Sequence, residues 1–585
     1  MFTYTITPQT HCHQWQVLLT FDFQCDTPLI LKLANWVAGS YMIRDFAKNI
    51  MTIQATCDGC PIELVQRDKN TWQLPEKNGR YCIRYTVYAN DLSVRASLLD
   101  NERGFIDGSC LFLYSPEHTS ETMTVIFQDL PEDWRIQTTL PEIAPNTFQA
   151  ACYAELVDHP MELGANLEVL HFEACGIPHR IAISGYYVDF DRTRFIQDCI
   201  TICEHEIRLF KTAPPFNEYL FLLHLGDNIY GGLEHRSSTA LHADRNMLPA
   251  YDMGEANADY TTLLGLIAHE YFHAWNVKSI KPTLFQPYDL DKEVYTEQLW
   301  AYEGITSYYD DLTLVRSGVI SVENYLNLLA KTLTRVQRTL GRQHQTLAQS
   351  SFTAWTKYYK QDENSPNAIV SYYQQGALMA LCLDAFIRQH SDFNLDFVMQ
   401  RLYTRYQQTG KGTAEQEWQQ LAQDYTQLDL NGFFQAALYS TQPLPLKESL
   451  QQFGITLTWL PEKRQQEGKL VNELPHQLLF SPQPDIACRC KQHEHFALIT
   501  HVFNDGAAEQ AGLKAGDKII AVNRFACTNL FKQTQTAVGD QHCIHYFRQG
   551  VLQQTTLTVQ AAQDNCAFLQ ITDKNKLNQW LFQAA

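Results

Sequence analysis

Two imidazoles and a carboxylate stand at a chemically useful spacing in His269-Glu270-Tyr271-Phe272-His273. The preceding Thr261–Ala268 segment has helical spacing of its apolar residues. On a helix, residues four apart share a face. Both imidazoles can then hold one divalent cation, with Glu270 beside them as a general base towards a metal-activated water. A catalytic zinc takes three protein ligands and keeps one position open. Glu303, in Leu299-Trp300-Ala301-Tyr302-Glu303-Gly304-Ile305, is the candidate third ligand. Its neighbours are apolar, and a carboxylate buried without a partner is costly. Glu297 is an alternative on the same helix, about 1.7 turns away at 3.6 residues per turn, so it faces elsewhere. Thr296 is the expected N-cap of that helix.

The elements that must position these residues follow from hydrophobic period. Residues 1–170 read as strands, including 14–23 and 81–89, separated by turn residues, which predicts an antiparallel β-sandwich. Cys57-Asp58-Gly59-Cys60 reads as a hairpin turn. From 171 to 450 the period is mainly helical, with helices expected at 195–211, 257–277, 296–316, 322–341, 370–390 and 393–408. Gly318 and Gly410 stand at expected helix ends, and Tyr219–His224 reads as a strand. Residues 451–565 read as a β/α module with a loop insertion near 460–484. A tail at 566–585 ends in a short helix at 574–583. The fold class expected is multidomain α+β.

Composition narrows the partners. Of 585 residues, 45% are hydrophobic and 19% charged, as in ordinary globular proteins. The formal net charge of -19 opposes binding to nucleic-acid backbone and suits a cationic partner such as a peptide's free α-amino group. No basic region followed by an apolar core opens the chain, and no apolar run reaches the ~20 residues that span a bilayer. The expectation is a cytoplasmic protein, not associated with membranes, whose sixteen cysteines stay reduced.

The motifs taken together resemble the gluzincin metallopeptidases. His273-Ala274-Trp275 is similar to their H-x-W continuation, and Trp300-Ala301-Tyr302-Glu303-Gly304 to their W-x-x-E-G. Positions 274 to 302 separate the second His from Glu303, a longer gap than in the large aminopeptidase branch. That gap fits the glycyl aminopeptidase family with a C-terminal PDZ domain. Asn35–Phe46 resembles that family's W-x-x-G-S-Y-x-I-R signature. Asp91–Arg95 with Phe105–Gly108, and Asp362–Asn367 before Val370-Ser371-Tyr372-Tyr373, resemble two more. The resemblance spans nearly the whole chain.

It implies an N-terminal β-sandwich, a thermolysin-like catalytic domain and a PDZ-like module. It also implies one Zn²⁺ per chain and removal of small N-terminal residues, Gly or Ala, from peptides. Tyr230-Gly231-Gly232-Leu233-Glu234-His235 resembles the G-x-M-E-N strand, which gives Glu234 the substrate's ammonium and makes Gly231 and Gly232 substrate-binding positions. Tyr373-Gln374-Gln375-Gly376-Ala377 resembles Y-x-K-G-A, whose Tyr donates to the oxyanion; Tyr372 is the open alternative. The segment 503–523 looks like a PDZ core, with a helix at 507–511, Gly512 left-handed, a turn at Gly516-Asp517, a strand at 518–522 and a second helix near 531–538. A peptide at that groove is one reading, and a buttressing role is the other. Two further functions stay open: a zinc endopeptidase fed by the PDZ module, and a non-catalytic PDZ scaffold.

Overall fold

The computed structural model of the chain describes residues 1–24 and 27–582. It divides into two compact units. The first comprises Met1–Tyr295, Ser317–Ile320 and Met399–Ala414; the second comprises Thr296–Arg316, Ser321–Val398 and Glu415–Ala585. This division crosses the 171–450 stretch expected as one catalytic domain.

In the first unit, an eight-stranded sheet runs in the order Glu142–Ala144, Thr147–Ala150, Met123–Phe127, Phe2–Gln9, Gln14–Phe23, Gly79–Tyr88, Ile50–Cys57, Cys60–Ile62. Strict alternation buries Phe2, Tyr4 and Ile6 on one face and leaves their neighbours half-exposed. The expected all-antiparallel arrangement needs one correction: Phe2–Gln9 pairs parallel with Met123–Phe127. A parallel pair needs a long crossover, and local alternation carries no sign of it. Asp58 (φ +50°) and Gly59 (φ +77°) form the expected two-residue hairpin turn, with Cys57 opposite Cys60 and both thiols free.

The site is carried by a second sheet. Strands β1 (Glu168–Ala174), β2 (Ile177–Gly185), β3 (Tyr219–Gly226), β4 (Gly231–Glu234) and β5 (Ser238–Asp244) lie in the order β1-β2-β3-β5-β4. β4 is an edge strand, antiparallel to β5 with Glu234 opposite Thr239. Helix α1 (Ala258–Phe272) begins where the Asn257 side chain accepts from the Tyr260 amide at 2.8 Å. It is buried on nearly all sides. An aromatic bed of Phe210, Phe216, Tyr219, Tyr271 and Trp275 holds its C-terminal end, with Phe210 stacked on Trp275 at 4.9 Å.

In the second unit, the expected helix at 296–316 is α-helical only from Ile305 to Arg316 (α2), preceded by a π-helical turn at Trp300–Gly304. Thr296 is not its N-cap. Its hydroxyl accepts from the Gln298 amide at 3.1 Å and donates to Glu415. Helices α3 (Val322–Gln337) and α4 (Gln374–His390) follow, and the terminal helix spans Lys574–Phe582; the expected residue 583 lies outside the described residues.

The C-terminal module is a sheet of β6 (Cys488–Gln492), β7 (Ala497–Val502), β8 (Lys518–Val522), β9 (Gln541–Arg548) and β10 (Val551–Thr558), in that order, with Phe525–Ala526 beside β8. Gly512 (φ +71°) ends the Ala507–Gln510 helix as expected. The helix expected at 531–538 is a single turn, Leu530–Gln533, because the chain turns again at Thr534–Asp540 before β9. The segment near 460–484 is not wholly loop: Lys469–Leu470 pairs with strand Asp564–Ile571, and His476–Phe480 is helical. The expected break at 565/566 falls inside Asp564–Ile571, which pairs with Ile455–Pro461. Thr334 of α3 accepts from the Ala567 amide at 2.9 Å, fastening that strand to the helix. Among the described residues, no helix is long and apolar enough to cross a membrane.

Candidate active site

Within the first unit, α1 delivers His269 and His273 to one face, with their Nε2 atoms 3.1 Å apart. Two ligands on a tetrahedral zinc with bonds of about 2.0–2.1 Å lie roughly 3.3 Å apart. The pair is therefore set at the separation one cation needs. After His273 the chain folds back, so that the ring Nδ1 donates to the Asn276 carbonyl at 2.8 Å. A carbonyl can only accept, so this bond leaves the lone pair of the neutral ring on Nε2, the atom facing His269. The donor set of two imidazoles and carboxylates suits zinc.

The same unit brings Glu234, Glu270 and His273 together: one ligand atom of each lies within 4.8 Å of the others, and all three side chains are buried. Two buried carboxylates so close repel one another unless cations balance them. A metal ion and a substrate ammonium would supply that balance.

Two glycines make this proximity possible. A Cβ at Gly232 would meet Glu270 Oε1 at 2.1 Å, so only glycine leaves room for the carboxylate against β4. A Cβ at Gly39 would lie 2.4 Å from Glu234 Oε1, and Gly39 is left-handed at φ +93°. The Trp36–Arg44 signature thus brings bare backbone up to the carboxylate. Gly231 stands on β4 opposite His242. Arg95 donates from Nη2 to the Gly232 carbonyl at 2.8 Å and steadies the strand. Neither Gly39 nor Arg95 was singled out by sequence; their signal was membership of the Asn35–Phe46 and Asp91–Arg95 motifs.

A buried charge cluster backs this assembly. Asp158 pairs with Lys278 Nζ at 2.7 Å, and His235 Nδ1 lies 3.4 Å from the same oxygen. Burial opposes the charge on Asp158, but Lys278, His235 and Arg236 hold its carboxyl well below the usual range. The Lys278 amide donates to the His273 carbonyl at 2.9 Å, and His235 follows Glu234 directly. Asp158 therefore ties the loop after α1 to the end of β4. Lys281, buried nearby beside Lys278, has its ammonium pushed down to about 7 by burial.

The second unit holds Glu303 and Tyr373. Glu303 lies in the π-helical turn and is 2% exposed. Such turns re-aim a side chain and recur at functional sites. A Cβ at Gly304 would meet Gly376 Cα at 2.6 Å and the Tyr372 carbonyl at 2.8 Å, so the two motif glycines let this turn pack on the start of α4. Burial raises the Tyr373 phenol well above its usual pKa, and the Glu303 charge adds to the rise. The Tyr373 hydroxyl lies 3.4 Å from that of Tyr359. Tyr372 is fully buried, whereas Tyr373 is half-buried. Glu297, the alternative ligand, donates its backbone amide to the Glu415 carboxylate at 3.2 Å, and its side chain sits against that carboxylate.

The M61 glycyl aminopeptidase profile matches residues 262–379, the peptidase M61 N-terminal domain profile residues 3–165, and the PDZ domain profile residues 448–538. No curated protein sequence matches the chain. Among solved structures, an aminopeptidase N family protein from Idiomarina loihiensis is 38% identical, covering 100% of both chains with a TM-score of 0.94. An M1 zinc metallopeptidase from Deinococcus radiodurans is 12% identical, covering 76% of this chain and 95% of its own with a TM-score of 0.48. With the HExxH helix, the Glu234 strand and full-length similarity to a solved aminopeptidase N family protein in view, the chain belongs to the M61 glycyl aminopeptidase family and is a metallo-aminopeptidase with a C-terminal PDZ domain.

Proposed function

We propose that the chain is a cytoplasmic zinc aminopeptidase that removes small N-terminal residues, Gly or Ala, from peptides. The observation that carries this reading is the buried grouping of Glu234, Glu270 and His273 within 4.8 Å, which sets an ammonium acceptor beside a base and a metal ligand. The family's description as glycyl aminopeptidases supports the small-residue preference. We read residues 1–170 as the β-sandwich, 171–450 as the catalytic domain and the chain from 451 as the PDZ-like module, with the strand Asp564–Ile571 carried in that module by its pairing with Ile455–Pro461. One zinc per chain would be held by His269, His273 and Glu303.

When bound, the metal supplies Lewis acidity, polarising the scissile carbonyl and lowering a water's pKa from about 15.7 to about 7. Glu234 accepts charge-assisted hydrogen bonds from the substrate's free ammonium. The glycines at 231 and 232 keep β4 bare where the substrate backbone would approach. Glu270 takes a proton from the attacking water and later passes it to the leaving nitrogen. Tyr373 donates its phenol proton in a hydrogen bond to the oxygen that gains negative charge. An internal peptide bond offers Glu234 no cation, so the arrangement favours exopeptidase action.

The test compares alanyl- and glycyl-arylamides with their N-acetyl forms. The free-amine substrates are expected to be cleaved and the blocked ones not. Glu234→Ala should lower kcat/KM for the free-amine substrates by about 10–100-fold, the worth of a charged hydrogen bond. Equal cleavage of blocked and free substrates would instead indicate an endopeptidase. Tyr373→Phe should lower kcat by about 10²–10³, the usual effect of losing one oxyanion donor. Tyr372→Phe should stay within a few-fold of wild type in the same assay. The reverse ranking would move the role to Tyr372.

A further inference from the structure

A cavity of about 920 Å³ lies within the second unit, between the C-terminal end of α3, the Ser365–Ser371 segment and strand β6. Its charged lining is Arg335, Arg338, Arg464, Arg489, Lys491 and Glu467. Five cations against one carboxylate invert the balance of a chain whose net charge is -19. Two of the cations are matched: Glu467 accepts from Arg335 at 2.8 Å, and Asp485 lies 3.3 Å from Arg464. Arg338 donates to the carbonyls of residues 462–464 and 466 and to the Asn565 side chain, all uncharged. Burial and the nearby Arg464 and Arg335 charges press the Arg489 pKa downward, a sign of crowded positive charge.

The strand bordering this lining is an edge. Among the described residues, β6 pairs with β7 alone, so its other side can receive an added strand. Arg489 and Lys491 are two apart on β6 and share one face, while Cys488 and Cys490 pack into the module's core. The start of β6 is poorly suited to a terminal carboxylate. Asp485 already accepts the Ala487 amide at 3.0 Å and places a negative charge there.

We propose that this cavity binds an extended polypeptide segment with acidic side chains at alternating positions, added as a strand to the outer edge of β6. Its carboxylates would meet the face bearing Arg489 and Lys491, and no free C-terminus would be needed. The inference rests on the PDZ module being a peptide binder but not on the assignment of the metal site.

The probe is an eight-residue peptide alternating Glu and Val, acetylated at one end, amidated at the other and fluorescently labelled, titrated into the full chain. Binding is expected, with an affinity that falls about tenfold in Arg489→Glu/Lys491→Glu and falls again as salt rises from about 50 to 300 mM. Both side chains project from the sheet surface, and Arg489→Ala alone, expected to weaken binding by a smaller factor, guards against misfolding of the double variant. The alternating Lys–Val peptide should not bind, and freeing the C-terminus of the acidic peptide should change its affinity by less than twofold. Hydrolysis of an alanyl-arylamide should match wild type in all these variants, which separates failure here from failure of the catalytic reading. No binding of the acidic peptide, equal affinity in the charge-reversed variant, or preference for a neutral peptide with a free C-terminus would each overturn the proposal.

Discussion

Glu270→Gln is expected to lower kcat on alanyl-arylamide by about 10⁴ while metal content stays at the wild-type level. The amide keeps the size of the carboxylate, so it fits the space that Gly232 leaves open against β4. His269 and His273 are untouched, and so is the His273–Asn276 bond that orients one of them. What disappears is a group able to accept a proton from water and return it to the leaving amine. General acid–base catalysis contributes about 10²–10⁴, and here one residue serves in both directions, so the upper end applies. A factor of 10⁴ corresponds to about 5.5 kcal/mol of barrier. Steady-state turnover with metal analysis of the same preparation checks both halves of the statement. A variant retaining more than a tenth of wild-type kcat would remove Glu270 from the role of base.

How much of the site is legible in the sequence depends on the distance along the chain over which each feature is specified. The His269–His273 spacing and the hairpin at Asp58-Gly59 are local, and each is visible in a few consecutive residues. So are the Lys518–Val522 strand and the left-handed Gly512 that precedes it. The π-helical turn at Trp300–Gly304 is different. Its geometry is imposed by packing of Gly304 on Gly376, more than seventy positions away, and helical periodicity reads straight through it. The Asp158–Lys278 pair, the Gly39 backbone against Glu234 and the Arg95 bond to Gly232 also join distant segments. Motif matching singled out Glu234, but the reason its carboxylate stays in place lies in residues from four other stretches. The parallel pairing of Phe2–Gln9 with Met123–Phe127 belongs with these, since alternation specifies which face is buried and not which strand is the neighbour.

Glu303→Ala is expected to remove the metal. Losing a partner that merely orients a ligand costs about 10–100-fold in metal affinity, so losing a ligand should cost more than about 10². The prediction has a readout apart from turnover. A ligand bound only to the native state raises stability by RT ln(1 + [L]/Kd), so adding zinc should raise the Tm of wild type. In Glu303→Ala that rise should shrink or vanish at the same zinc concentration. The metal-free form itself is not expected to lose stability, because the substitution removes a buried carboxylate whose charge is costly to desolvate. Glu297→Ala is the matched control: that side chain sits against Glu415, and both zinc content and the zinc-dependent Tm rise should persist. Dialysis against a graded chelator series, followed by metal analysis, gives the affinity ratio directly. Retention of stoichiometric zinc by Glu303→Ala, with loss in Glu297→Ala, would transfer the third ligand to Glu297 and undo the mechanism built on Glu303.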